Sequence, residues 1–285
     1  MDKEEITKAL SFYQIKDKDY YNKCMECIEK LEQNKNLKDK VMEIRKKMLE
    51  DDLYLKSLWN YQELEEIVKE NTLPFLTNII LLSTFPVLKS NPRNLSNKYL
   101  KIAKKRIRES LLNDIVKRGY DSIRISQMLW GIYFVKERIF EIGRLQYELC
   151  FINPLTNKEE KGIKIHIPRG ESLKDEEVIE SLKKAPKEIK KYFKLDNPNY
   201  YCSSWLLSKE ILSMLKNNAN IVRFSKHFVI TEGEECTEDI LNFIFELTEC
   251  RDYKELPEDT SLEKKAKEHL LKGETFHLGI GLLKK

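Results

Sequence analysis

The spacing of apolar residues changes at Gly143, and this change limits what the chain can fold into. Before Gly143, apolar residues recur every three or four positions, which is typical of amphipathic helices. After it, "RLQYELCFI" (144–152) alternates between apolar and polar residues, which is the period of a half-buried β-strand. We therefore predict a helical N-terminal domain, residues 1–142, followed by a β-sheet domain, residues 143–285.

The second half of the chain carries further strand patterns with helices between them. "IKIHIP" (163–168) follows a turn-rich connector, and we expect it to form an antiparallel hairpin with the first strand. Other predicted strands are "YYCSSWLL" (200–207), "NIVRFSKHFVI" (220–230) and "TFHLGIGLL" (275–283). Helices between strands require some parallel pairing, so we predict a mixed β-sheet flanked by helices.

Two long apolar segments of the first half favour buried helices. "LPFLTNIILLSTFPVL" (73–88) predicts one, and "SQMLWGIYFVKERIFEIG" (126–143) predicts a second that ends at Gly143. Neither offers the ~20 uninterrupted apolar residues that a membrane span needs. The start of the chain, "MDKEEITKAL", has no apolar signal region, so a cytoplasmic location is the expectation.

The charge balance argues against nucleic acid as the partner. The chain of 285 residues has 51 basic and 47 acidic residues, a net charge of only +4. The segment "KYLKIAKKRIRES" (98–110) is basic, but a solvated helix face explains it without DNA or an anionic membrane.

The cysteines and histidines show no metal-ligand spacing. Six cysteines spread over a chain of this size do not suggest a disulfide framework. Cys24 and Cys27 form a C-x-x-C pair, but no second pair follows, so we interpret them as ordinary helix residues. His227, His269 and His277 are isolated from one another by spacing, and no metal site is predicted.

The segment "KIHIPRGESLKDEEV" (164–178) reads as a strand, a glycine-containing turn and a helix start, an arrangement that proteins use to hold phosphate. Ser172 is predicted to cap a helix that begins at Leu173. Arg169, with Lys174 and Lys183, favours an anion. Opposing them are four carboxylates, which complement the helix dipole but repel a diphosphate: Glu171, Asp175, Glu176 and Glu177.

These segments together resemble a known family. The hairpin, the turn "IPRGESL", and the segments "SSWLL" and "IVRF" look like a bacterial family described as acyltransferase-domain proteins, and the resemblance is strongest from about Trp130 onward. Its members pair a helical N-terminal domain with a domain similar to the GNAT N-acyltransferase fold. The resemblance implies an N-acyltransferase that moves an acyl group from acetyl-CoA or another acyl-CoA to an amine.

The family pattern also implies a cofactor-binding loop. In GNAT enzymes a Gln/Arg-x-x-Gly-x-Gly/Ala loop binds the pyrophosphate of acyl-CoA, and the thioester lies where the preceding strand splays from the next. Here Arg169 fits the first position, whereas Ser172 stands where the first glycine belongs. The residues that the resemblance assigns to acyl-CoA are Arg169, Gly170, Glu171, Ser172 and Leu173.

Amine acylation needs a base for the amine and an acid for the leaving thiolate. By strand alternation, Glu148 and His166 share one side of the hairpin within about one register step, and they are the candidate base pair. A solvent-facing ion pair is the ordinary alternative. A Tyr, Ser or Cys is a suitable acid, and "CSSW" offers Cys202, Ser203 and Ser204, of which Ser203 is the candidate catalytic residue. No G-x-S-x-G elbow supports a hydrolase.

A second hypothesis assigns no catalytic activity to the protein. The missing glycines and the acidic helix start also fit a binding or interaction protein that keeps the scaffold after losing its CoA site. Under the enzyme hypothesis, the partners are a small-molecule acyl donor and an amine acceptor that the sequence does not name.

Overall fold

The computed structural model describes residues 1–70, 73–119, 121–170, 172–247 and 250–284. The chain divides into two compact units, residues 1–140 and residues 141–285. Among the described residues, every helix is too short or too polar to cross a lipid bilayer.

The first unit is helical, as predicted. A short 3-10 turn, Leu58–Asn60, follows α4. The described α-helices are α1 (Lys3–Tyr13), α2 (Lys18–Gln33), α3 (Lys35–Glu50), α4 (Asp52–Ser57), α5 (Gln62–Glu70), α6 (Leu76–Ser83), α7 (Phe85–Ser90), α8 (Asn97–Arg118) and α9 (Ile125–Val135).

The helix predicted over 73–88 is in fact two helices, α6 and α7, with Pro86 in the first turn of the second. All of α6 is buried, including its polar residues. The Asn78 amide donates to the Tyr20 hydroxyl at 2.7 Å, and its oxygen accepts from the Ile123 backbone at 3.1 Å. Because both ends of the amide are bonded, this polar group does not weaken the core.

The two cysteines of the C-x-x-C pair lie in the same core. Cys24 and Cys27 are both buried on one side of α2. Burial raises the pKa of the Cys27 thiol to about 12, and it raises the pKa of Cys24 further. Metal binding and redox exchange both need a thiolate, which this environment disfavours.

The predicted end of the last apolar helix was wrong. Instead of continuing to Gly143, α9 stops at Val135, and strand β1 begins at Ile139. Glu137 adopts a left-handed conformation, with φ of 51°, that a helix cannot continue through. The strand pattern of β1 has only four residues, so the sequence did not separate it from the helix before it.

The second unit contains the sheet and its helices. Short 3-10 turns, Trp205–Leu207 and Tyr253–Glu255, connect some of them. The elements are β1 (Ile139–Ile142), which begins at the junction of the two units, β2 (Leu145–Ile152), β3 (Glu159–His166), α10 (Asp175–Phe193), β4 (Tyr200–Ser204), α11 (Lys209–Met214), α12 (Asn220–Ser225), β5 (Phe228–Glu235), α13 (Thr237–Phe243), α14 (Ser261–Leu271) and β6 (His277–Leu283).

The sheet is mixed, which confirms the predicted fold class. Its six strands lie in the order β1-β2-β3-β4-β6-β5. β2 and β3 form the predicted antiparallel hairpin, and β3 and β4 are parallel. β6 lies antiparallel between β4 and β5. A parallel pair, β3 with β4, thus lies between the antiparallel pairs β2–β3 and β4–β6.

Two predicted strands are shorter than the sequence suggested. β4 ends at Ser204, whose side chain accepts from the Leu206 backbone and caps a 3-10 turn. Residues 220–225 form the helix α12 instead of a strand, and β5 begins at Phe228. A short apolar run such as this fits either element by period alone.

Two helices of the second unit have features worth noting. α14 begins with a capping box between Thr260 and Glu263, and both of its reciprocal hydrogen bonds are present. α10 runs through Pro186 as one uninterrupted helix.

Glycines in β6 allow the chain after β4 to lie directly on the sheet. The 3-10 turn brings Leu207 onto β6, where a Cβ at Gly279 would lie only 2.1 Å from the Leu207 carbonyl oxygen. A Cβ at Gly281 would meet the side chains of Leu207 and Phe228, both at 2.9 Å. The position of the turn, and of α11 after it, therefore depends on the missing side chains.

We expect Gly279→Ala to lower the free energy of unfolding by about 3 kcal/mol, because the new methyl group would overlap backbone atoms. Gly233→Ala is the matched control, since its Cβ would first meet the movable end of Ile280 at 3.0 Å, and we expect it to cost at most about 1 kcal/mol. Urea unfolding measures both variants. Equal losses would contradict the proposed packing.

Candidate functional site

The parallel strands β3 and β4 separate along their length. They are paired at Ile163 with Tyr200 and at Lys164 with Tyr201, and at no later residue of these two fully described strands. Yet β3 continues to His166, and β4 continues to Ser204. Their outer edges stay bound to β2 and β6 over these residues. The inner edges therefore present backbone groups that no strand satisfies, next to a gap in the sheet.

The three predicted catalytic side chains, those of Glu148, His166 and Ser203, lie on one face of the sheet near this divergence. Glu148 lies opposite Lys164 in the hairpin, and Lys164 lies beside Tyr201 in the parallel pair. Because side chains alternate along a strand, His166 and Ser203 point to the same face as Glu148. The opposite face, which carries Tyr147, packs against α10.

The predicted contact between His166 and Glu148 is present. His166 Nε2 lies 2.8 Å from Glu148 Oε2. The Glu148 side chain is 9% exposed and that of His166 is 26% exposed, so the carboxylate is inside and the imidazole is at the surface. This pair differs from a solvent-facing ion pair, because one partner is buried and holds the other in place.

Strand β2 is buried on both faces as far as Cys150, so the expectation that it is half-buried was wrong. Its polar face is covered as well as its apolar face. Gln146 on that polar face donates to Glu141 Oε2 at 2.9 Å. The sequence did not indicate this polar contact, because Glu141 was assigned to a helix and not to a strand next to Gln146.

Two polar atoms near the divergence are buried without partners among the described residues. They are the Ser203 hydroxyl and the Tyr200 hydroxyl. Burial raises the pKa of Tyr200 to about 12. A buried hydroxyl without a hydrogen bond is unfavourable, and such groups often await a ligand or water. Strand alternation places Ser203 on the face of His166, and Tyr200 on the face of Tyr147, whose ring it meets edge-on at 6.4 Å.

The loop after β3 carries the predicted cofactor-binding residues. Gly170 has φ of 101°, a value that favours glycine, and a Cβ there would meet open space. Glu171 lies outside the described residues. The Ser172 hydroxyl accepts from the Asn220 amide at 3.2 Å, and Leu173 is buried.

The predicted helix start was wrong by two residues. α10 begins at Asp175 with Lys174 as its N-cap, whose side chain makes no capping bond, and Ser172 lies outside the helix. The first-turn amides of α10 are therefore not capped by a side chain. Such amides can bind an anion, because their N–H groups and the helix dipole both favour negative charge.

Two of the acids at the start of α10 have nearby partners. Asp175 Oδ1 lies 3.0 Å from His227 Nε2, and Glu177 lies 3.6 Å from the Lys174 ammonium. The Lys174 ammonium offsets part of the repulsion that the sequence suggested between this helix start and a diphosphate.

The predicted anion-binding arginine makes contacts with α13. Arg169 donates to the Asn242 carbonyl at 2.8 Å, and its guanidinium lies 4.8 Å from the centre of the Phe243 ring. Phe243 also stacks on Trp205, which directly follows β4. This arginine–aromatic stack connects the segments that follow the two diverging strands.

The sheet order, the diverging parallel strands and the loop that leads into α10 define a GNAT-like acyltransferase fold. A family model for the GNAT-like C-terminal domain matches residues 139–283, which is just over half of the chain. The protein therefore belongs to the GNAT-like C-terminal domain family. The family resemblance predicted from the sequence is confirmed.

Solved structures share the fold. One is an acyltransferase in complex with decanoyl-CoA, 22% identical, with a TM-score of 0.64 over 74% of this chain. Others are an acyltransferase with decanoyl-CoA and teicoplanin, 21% identical, and one with CoA and 10C-teicoplanin, 20% identical, both with a TM-score of 0.64 over 75% of this chain. At these identities the likeness shows the fold alone.

The similarity does not extend over the whole of these neighbours. The match covers 66% of the acyltransferase solved with decanoyl-CoA, and 67% of the two solved with teicoplanin or its derivative. No curated protein matches the chain in sequence.

We predict that removing two different hydroxyl groups from this unit changes the free energy of unfolding unequally. Ser203→Ala should leave the free energy of unfolding within about 0.5 kcal/mol of wild type or raise it, because the lost hydroxyl has no partner among the described residues. Ser181→Ala should lower it by roughly 1–3 kcal/mol, because it leaves the buried Tyr147 hydroxyl, 2.9 Å away, without a bond.

Urea unfolding of the two alanine variants under identical conditions gives the comparison. A large loss for Ser203→Ala would mean that its hydroxyl has a partner in solution.

Proposed function

We propose that the protein is an acyltransferase that takes its acyl group from acyl-CoA and transfers it to an amine. The observation that carries the proposal is the divergence of β3 from β4 after Lys164 and Tyr201. The inner edges of both strands have no strand partner there, and chemically competent side chains lie on one face beside the gap.

The gap suits the pantetheine arm of an acyl-CoA. That arm is extended and contains amide groups, so it can bond to strand edges much as an added β-strand does. Because β3 and β4 separate, an arm between them would find donors and acceptors on both sides. The fold neighbours solved with decanoyl-CoA and CoA support this choice of donor.

The loop after β3 is the proposed site for the diphosphate. The uncapped first turn of α10 offers backbone N–H groups, and Arg169 and Lys174 offer positive charge nearby. Arg169 would have to exchange its bond to the Asn242 carbonyl for one to phosphate. The guanidinium also lies 3.9 Å from Glu246 Oε1, but both groups are exposed, so this ion pair is weak. A bidentate bond to an anionic phosphate is stronger than a bond to a neutral carbonyl, so the exchange is favourable.

His166 is the proposed general base. When its Nε2 carries the proton and donates to Glu148, Nδ1 holds the lone pair that accepts a proton from the amine. The neutral amine attacks the acyl carbon with its lone pair and gives up this proton as the nitrogen–carbon bond forms, and the carbon–sulfur bond breaks to release the thiolate. The Glu148 carboxylate stabilises the imidazolium that results. The Ser203 hydroxyl donates a hydrogen bond to the leaving sulfur.

The proposal also specifies the chemical class of the acceptor, an amine. A base at the surface end of the His166–Glu148 pair suits an amine nucleophile, because the nitrogen must lose a proton when it is acylated. Two of the fold neighbours were solved with teicoplanin or 10C-teicoplanin, and these complexes support including a large acceptor among the candidates.

One observation favours the non-catalytic alternative. The Arg169 guanidinium is already bonded to Asn242 and stacked on Phe243, as expected if the loop had become structural. Under this alternative, CoA would not bind at all. Binding and catalysis therefore need separate tests.

For binding, we expect decanoyl-CoA at a hundred times its dissociation constant to raise the melting temperature by roughly 5–10 °C, because it binds only the folded protein. Arg169→Gln should weaken this binding roughly tenfold. Arg251→Gln, which removes an exposed arginine elsewhere in the second unit, is the matched control and should have no effect. A melting temperature that does not respond to millimolar CoA or decanoyl-CoA would overturn the donor assignment.

For catalysis, we expect His166→Gln to lower the rate of acyl transfer by about 10²–10⁴, because the base is lost. Binding of decanoyl-CoA should remain unchanged. His269→Gln is the control, since that imidazole bonds to the Thr275 carbonyl in a different part of the unit.

The assay is mass spectrometry of acylated product from a panel of amino sugars, polyamines, a lysine peptide and teicoplanin. Equal rates for wild type and His166→Gln on any acceptor of the panel that is acylated would exclude His166 as the base. Acyl-CoA binding with no product from any acceptor would count against the amine.

A further inference from the structure

Three side chains from separate elements meet on the face of the sheet opposite His166 and Ser203. Glu210 comes from α11, Glu232 from β5 and His277 from the start of β6. One potential ligand atom from each, two carboxylate oxygens and an imidazole nitrogen, all lie within 4.8 Å of one another. We propose that Glu210, Glu232 and His277 bind a divalent transition-metal ion.

The distances suit such an ion. His277 Nδ1 and Glu210 Oε1 lie 3.2 Å apart, so a single ion can lie about 2.1 Å from both atoms at once. Glu232 is exposed, and a small rotation of its flexible side chain completes the set. Three protein ligands leave at least one coordination position for water or another ligand.

The backbone holds these ligands in place. Leu207 packs directly on Gly279, which fixes the start of α11 against β6 only two residues from His277. Glu232 is the register partner of Gly279, and a bulge in β5 follows it. Bulges commonly re-aim side chains at functional positions. On the other side of the ligand set, the Ser208 hydroxyl bonds to the Glu210 carboxylate and orients it.

The charges around the site favour a cation. The segment "TEGEECTED" (231–239) contains five acidic residues. Burial raises the pKa of Asp239, and the negative charges of Glu238 and Glu234 raise it further. Lys209 already pairs with Glu232 and acts as a competing cation. Because both partners of this pair are largely exposed, the pair is weak, and a divalent ion can displace the ammonium.

The donor set narrows the choice of metal. Carboxylates alone would favour Mg²⁺ or Ca²⁺, whereas an imidazole nitrogen favours Zn²⁺ and its neighbours in the first transition series. Two carboxylates balance the charge of a divalent ion. Zn²⁺ and Mn²⁺ are therefore the expected ligands, and Mg²⁺ should bind more weakly.

The test is titration calorimetry of the full chain, stripped of metal with EDTA, against ZnCl₂, MnCl₂ and MgCl₂. We expect one Zn²⁺ per chain at this site. Glu210→Gln and His277→Gln should each weaken binding at least tenfold. Glu234→Gln, which removes an equal charge two residues from Glu232, should change it little. Lys209→Met should tighten binding several-fold, since it removes the competing ammonium.

Two further measurements keep the test decisive. Circular dichroism of the metal-free variants shows whether each variant still folds. Absorption of the Co²⁺-loaded protein distinguishes nitrogen and oxygen ligands, as proposed, from the cysteine thiolates of another site. The proposal is overturned if no ion binds, if folded His277→Gln binds as tightly as wild type, if Glu234→Gln weakens binding equally, or if the Co²⁺ spectrum shows thiolate ligands. None of these measurements depends on acyl transfer.

Discussion

The arrangement of the proposed site in the second unit depends on the pairing of β3 with β2 and of β4 with β6. β3 is held along its length by β2, and β4 is held by β6, but the two share only a short parallel contact at Ile163–Tyr200 and Lys164–Tyr201. Each antiparallel partner dictates the course of its strand through the sheet twist. The middle of the sheet therefore opens while both halves remain hydrogen-bonded.

The rest of the proposed site follows from this opening. The loop that leaves β3 must cross to α10 beside the gap, so Arg169 and the first turn of α10 come to lie at its end. The hairpin partner of β3 contributes Glu148, and this buried carboxylate fixes the imidazole of His166. The proposed catalytic side chains therefore all lie on strands whose positions the sheet determines.

The sequence predicted those features that depend on neighbours close along the chain. The alternation of β2 and β3 placed His166 beside Glu148, because a hairpin connects them and fixes their register. The period of apolar residues predicted the wrong element for β1 and α12, because short apolar runs fit a helix and a strand equally well.

Contacts between distant segments were beyond reach of a single sequence. Arg169 meets a carbonyl 73 residues away, and His277 meets a carboxylate 67 residues away. No spacing rule connects positions so far apart, since only the assembled sheet brings them together.

The buried hydroxyl of Ser203 has a consequence for ligand selectivity. The Ser203 oxygen is buried without a partner among the described residues. The unfavourable free energy of removing this hydroxyl from water is therefore already part of the folded state before a ligand binds. A ligand with an acceptor atom at that place gains the full hydrogen bond without dehydrating the serine again. An apolar ligand of the same shape would gain nothing there. The Ser203 hydroxyl thus selects ligands that can accept a hydrogen bond over apolar ligands of equal size.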